Sequence, residues 1–149
     1  MNQSLYLFLA FLGGILLAAQ GGLNAQLGVQ LKNPFLATLV AFSFSALFAL
    51  VIVFAMVKNV PRTTQLAAIP TYLWFTGALC SVLGICLYYI TIPKLGISTM
   101  ISLGLFGQLL FSALAGHFGW FGLPQEVLDQ KRIVGFLAMG MGIYFINKN

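Results

Sequence analysis

Charge is nearly missing from this chain. Of 149 residues, 6% are Asp, Glu, Lys or Arg, and only two are acids. A water-soluble domain keeps about a quarter of its residues charged, so an ordinary globular enzyme or binding module is excluded. No acid falls inside an apolar run, which leaves no buried carboxylate pair for acid–base work. One histidine and two cysteines cannot make a metal cluster or a thiol–imidazole dyad within a span. Cys80 and Cys86, six positions apart on a helix, point in widely different directions and form no intrachain disulfide. They read as small apolar fillers. No basic cluster is long enough to suggest nucleic acid, and no metal or other cofactor is expected.

What the chain does have is hydrocarbon. It is 60% hydrophobic with a mean hydropathy of +1.00, the composition of an integral membrane protein. Its net charge of +5 sits near the ends of the apolar runs, as anchors against the anionic headgroups of a lipid bilayer would. Five runs cover 5–31, 34–57, 69–92, 97–116 and 133–146, with an interfacial segment at 117–132. The expected fold is all-α, a single transmembrane domain over 1–149 made of five helices. Residues 1–19 read as an uncleaved first span, because no Lys or Arg precedes them and hydrophobicity resumes after Gln20.

The most unusual stretch is Gln20-Gly-Gly-Leu-Asn-Ala-Gln-Leu-Gly28. Side-chain amides in hydrocarbon are costly unless they find partners or water. Gly21 and its neighbours remove bulk, so a helix or a solute can approach the backbone. At 100° per residue Gly13, Gln20, Asn24 and Gly28 lie within about 80° of one another, one small-and-polar stripe. Gln26 and Gln30 fall away from it. The stripe fits a solute path, and it equally fits interhelical glue.

Lys32-Asn33-Pro34 reads as a tight turn with Asn33 capping the second helix. Residues 58–70 form the first real loop. Tyr72 and Trp74 mark an interfacial helix start, and Gly77, Ser81, Gly84 and Tyr88 share one face of the third run. The small residues suggest close helix packing, and Tyr88 offers a hydroxyl. Pro93-Lys94-Leu95-Gly96 reads as a turn. In the fourth run Gln108 is the amide comparable with Gln20 and Asn24, and the two helices are expected to face each other or a shared cavity. His117 can titrate near neutral pH and so is a candidate for proton coupling, against the plainer reading of an interfacial histidine. Asp129 is placed to cap the last run, where Gly135, Ala138 and Gly142 make one more small-residue face.

Five spans put the termini on opposite sides of the bilayer. One side then carries Lys58, Arg62, Lys131 and Arg132, the other Lys32, Lys94 and Lys148. This near-balance gives almost no orientation signal and permits insertion both ways up. Two oppositely oriented copies would have the inverted-repeat geometry of many transporters.

Gln20–Gly28, Pro93-Lys-Leu-Gly-Ile-Ser-Thr99, Gly107-Gln108-Leu109 and His117-Phe-Gly-Trp-Phe-Gly122 together resemble one family. It is the half-length YdcZ-like branch of the drug/metabolite transporter superfamily, related to the ten-helix EamA-type transporters. The resemblance covers nearly the whole chain. It implies five helices in a bacterial inner membrane and a dimer of these or of paired homologous subunits, with dual topology one option. It carries over no binding residue. Four-helix small multidrug transporters use a glutamate in the membrane, and this chain has none there. A neutral, polar or anionic solute suits an amide-lined path better than a lipophilic cation. The resulting expectation is a secondary transporter of a small organic metabolite working by alternating access, with Gln20, Asn24 and Gln108 on the path and Tyr88 and Trp74 as further contacts. The competing classes are a small-solute or ion channel and a non-transporting assembly subunit.

Overall fold

The computed structural model describes residues 3–122 and 124–148; Leu123, inside the interfacial segment, lies outside them. The regular elements among the described residues are all helical, with no strand among them. The chain divides between Lys94 and Leu95 into two compact units.

The first unit holds α1 (Gln3–Gln30), α2 (Pro34–Met56), the short α3 (Thr63–Ala67), a 3₁₀ turn (Thr71–Trp74) and α4 (Thr76–Leu95), which ends at the boundary. α1 and α2 form an antiparallel hairpin whose turn is set by local chemistry. Lys32 takes a positive φ of 53°, and the Asn33 amide donates back to the Gly28 carbonyl at 3.0 Å. Asn33 then accepts from Phe35 N and Leu36 N at 2.9 and 3.2 Å, with Pro34 in the first helical turn. These bonds supply the amides that a helix start otherwise leaves unpaired. Asn33→Ala should therefore cost about 1 kcal/mol. Thermal unfolding in detergent reads this as a midpoint lowered by a few degrees, and an unchanged midpoint would count against the cap.

Three boundaries differ from the sequence expectation. The 58–70 loop contains α3, whose start is tied by Gln65 Oε1 accepting from Arg62 N at 2.9 Å. Regular helix in the third run begins at Thr76, not near residue 69. Pro70 and the non-helical Phe75 bracket the 3₁₀ turn, where Tyr72 and Trp74 lie exposed. Pro93 does not start a turn: α4 continues through it to Leu95. A proline near a helix C-terminus deletes one backbone bond without breaking the helix. The break comes at Gly96, with φ 81° and ψ 154°, a conformation open to glycine and hard for other residues.

The second unit holds α5 (Ile97–His117), a 3₁₀ turn (Trp120–Gly122) and α6 (Gln130–Asn147). Asp129 caps α6 by accepting from Arg132 N at 2.9 Å, as the spacing suggests. Phe118, Trp120, Phe121 and Phe111 form an aromatic cluster at the end of α5.

Among the described residues, four helical segments are long and apolar enough to cross a membrane: Gln3–Gln30, Pro34–Met56, Thr71–Leu95 and Ile97–His117. α6 has 18 residues but opens on Gln130, Lys131 and Arg132 and closes on Asn147, which shortens its apolar part. Most large side chains of all these helices point outward, Phe54 and Phe11 among them. In hydrocarbon this is the expected arrangement, because burying leucine gains little where lipid is as apolar as the protein interior.

Candidate functional site

In the first unit, small residues let the helices approach. A Cβ on Gly28 would stand 3.4 Å from Pro34 Cα and 3.5 Å from Ala37 Cβ, and one on Gly21 would stand 3.5 Å from Ile92 Cδ1. Gly21, Ala25 and Gly28 are the buried positions of α1. They share a side with Ala37 and Thr38 of α2 and with the buried residues Cys86, Tyr89 and Ile92 of α4.

That junction contains a small polar group inside otherwise oily helices. Thr38, 3% exposed, donates from Oγ1 to the Pro34 carbonyl at 3.0 Å and accepts from Cys86 Sγ at 3.3 Å. Its hydroxyl is thereby used in both directions. Tyr89 is 2% exposed, and its hydroxyl makes no hydrogen bond of ordinary geometry, although the Asn24 side chain comes near enough to act on it. Buried hydroxyls nearly always have a partner, so this one needs an account. Pro93 adds to the polarity, since it lacks the N–H that would bond the Tyr89 carbonyl four residues back. Every polar side chain of the junction is uncharged.

Asn24 belongs to this junction, and Gln20 lies half-buried one turn earlier on the same side of α1. Tyr88 is half-buried beside it in sequence, but Tyr89 is the tyrosine turned inward. The face holding Gly77, Ser81, Gly84 and Tyr88 is rotated by about 100° from the face holding Cys86, Tyr89 and Ile92. Gly77 and Gly84 meet nothing within 4 Å, and the same holds for Gly13, Gly135 and Gly142. Trp74 lies exposed before α4. Residue-type reasoning took Cys86 as an apolar filler, left Thr38 as a hydroxyl bonded to its own helix, which it is, and did not single out Tyr89. The spacing of Cys86, Tyr89 and Ile92 is a helical face, but no polarity marks it.

In the second unit Gln108 lies at an exposed position of α5. His117 ends that helix with its ring edge-on to Phe118 at 5.1 Å. A groove of about 790 Å³ runs between α5 and α6, walled by Leu109, Phe111, Ala115, Phe136 and Met139. An exposed ion pair, Arg132 with Glu126, sits at its rim. Gln108 is not among the groove's lining residues. The groove is mostly apolar, with Ser112 and the Arg132–Glu126 pair as its polar groups, and the buried uncharged polar junction of the first unit is the better candidate for a neutral solute.

Over residues 5–145 the chain matches the family described as "Putative inner membrane exporter, YdcZ". The chain belongs to the YdcZ family. Comparison with curated proteins and with solved structures gives no match. The YdcZ description names a transporter of the inner membrane and not an enzyme. It also covers the four stretches, from Gln20–Gly28 to His117–Gly122, on which the resemblance was read.

Proposed function

We propose that this YdcZ-family chain is a subunit of a secondary exporter that moves a small, uncharged or polar organic metabolite across the bacterial inner membrane. The observation that carries this reading is the uncharged polar junction of Asn24, Thr38, Cys86 and Tyr89 within membrane-length apolar helices. Such groups are expensive in lipid unless they find partners, and their gathering at one junction supports a path there. Gln20 and Asn24 line that path on α1, and Tyr88 and Trp74 flank it on and before α4.

α6 completes a five-span topology, its ends drawn to the headgroups by Lys131, Arg132 and Lys148. The active form is a homodimer or a pair with a homologous subunit, antiparallel in the dual-topology case, and alternates access by rocking one bundle against the other. Support for a partner comes from the α4 face of Gly77, Ser81 and Gly84, which has open space where another helix can pack.

Reconstitution tests the reading. Proteoliposomes loaded with a panel of uncharged and anionic metabolites should show saturable efflux and counterflow for at least one of them. Unitary currents without saturation indicate a channel instead. No flux for any solute, with or without an ion gradient, leaves an assembly subunit.

A further inference from the structure

We infer that the Tyr89 hydroxyl and the Asn24 carboxamide form a binding site for one uncharged hydrogen-bonding group, reached when α4 moves off α1 and α2. This site deepens the transport reading and rests on it for its purpose, though not for its chemistry. The hydroxyl is 2% exposed without a protein hydrogen bond of ordinary geometry. Thr38 supplies none in the structure: its one proton goes to the Pro34 carbonyl and it accepts from Cys86. Asn24 is the polar side chain that approaches, and an amide offers donors and an acceptor beyond what one phenol can use. The pair therefore presents a free donor and acceptor to a third group.

That third group is uncharged. α1 and α2 hold no charged residue, and α4 holds only Lys94 in its last turn. An ion in the junction would have no counter-charge in a low-dielectric setting. Water and a solute hydroxyl, carbonyl or amide share the required chemistry. Access comes from the helix itself, since the missing bond at Pro93 and the glycine conformation of Gly96 weaken α4 just beyond Tyr89.

The test uses Cys86 as a reporter, because its buried thiol lies in the same junction. With Cys80→Ser in the background, N-ethylmaleimide modifies Cys86 in native membranes only when the junction opens. Tyr89→Phe removes the unpaired hydroxyl and keeps the ring. It should slow modification at least about fivefold and raise the thermal midpoint, since a buried unpaired hydroxyl disfavours the closed form. Protection of Cys86 by glycerol or urea, but not by acetate or methylammonium, identifies a solute group as occupant. No protection by any probe, even with Tyr89→Phe still slow, means an unsatisfied hydroxyl that binds no solute group and overturns the site. Modification as fast or faster in Tyr89→Phe, with the midpoint unchanged or lowered, overturns it, as does a Cys86 that reacts only on unfolding. Export lost or found in proteoliposomes is a separate readout, so the transport reading can fail while the site stands.

Discussion

Asn24→Leu should reduce export at least tenfold while leaving the helices folded. Leucine nearly matches asparagine in size and is favoured in hydrocarbon, so the substitution should not harm the fold. What it removes is the one side-chain amide that approaches Tyr89 in the α1–α2–α4 junction. Loss of one good hydrogen bond to the passing solute is worth about 1.5 kcal/mol, which is roughly tenfold in rate or affinity. Gln26→Leu is the control, because Gln26 is exposed and lies on another side of α1. Proteoliposome efflux, with circular dichroism and thermal midpoint on the same preparations, separates the outcomes. Export unchanged in Asn24→Leu would remove this amide from the path. Export lost together with helicity would make it structural glue.

Gly28→Leu should destabilise the first unit by about 3 kcal/mol, the upper part of the range for forcing extra methylenes into a packed site. A Cβ there already comes within 3.4 Å of Pro34 Cα, a backbone atom held by the Asn33 cap and unable to swing aside. The leucine must open the α1–α2 hairpin. Gly77→Leu meets nothing within 4 Å in the chain and should leave the subunit's own stability unchanged. If that face packs against a partner, Gly77→Leu shifts the monomer–dimer balance instead. Thermal midpoints read the first effect and cross-linking in membranes the second. A stable Gly28→Leu hairpin would contradict the close approach of these helices.

Much of the chain was legible from composition and local chemistry. The absence of charge and the long apolar runs follow directly from what a bilayer accepts, and Asn33 and Asp129 act as caps because short polar side chains before a helix satisfy its first amides. The Pro93 boundary was misread because proline signals a break, whereas its cost near a helix end is one hydrogen bond. Gln20 and Asn24 stood out because amides in an oily segment are conspicuous by type. Tyr89 and Thr38 did not, since a tyrosine or threonine in a membrane helix is ordinary until its neighbours are known.

By itself the sequence determined the class of molecule, the helical segments and the polar stripe on α1, because each depends on one residue's own transfer energy or on spacing within a helix. Only the tertiary structure decided that Tyr89 and not Tyr88 turns inward, that Thr38 and Cys86 join Asn24 beside it, and that the glycines of α4 stay open. Adjacent helical residues differ by about 100° in direction, and in an apolar helix no polarity contrast selects one face. The choice falls to shape, where Gly28 and Ala37 close the α1–α2 hairpin and Gly21 leaves room for Ile92 of α4.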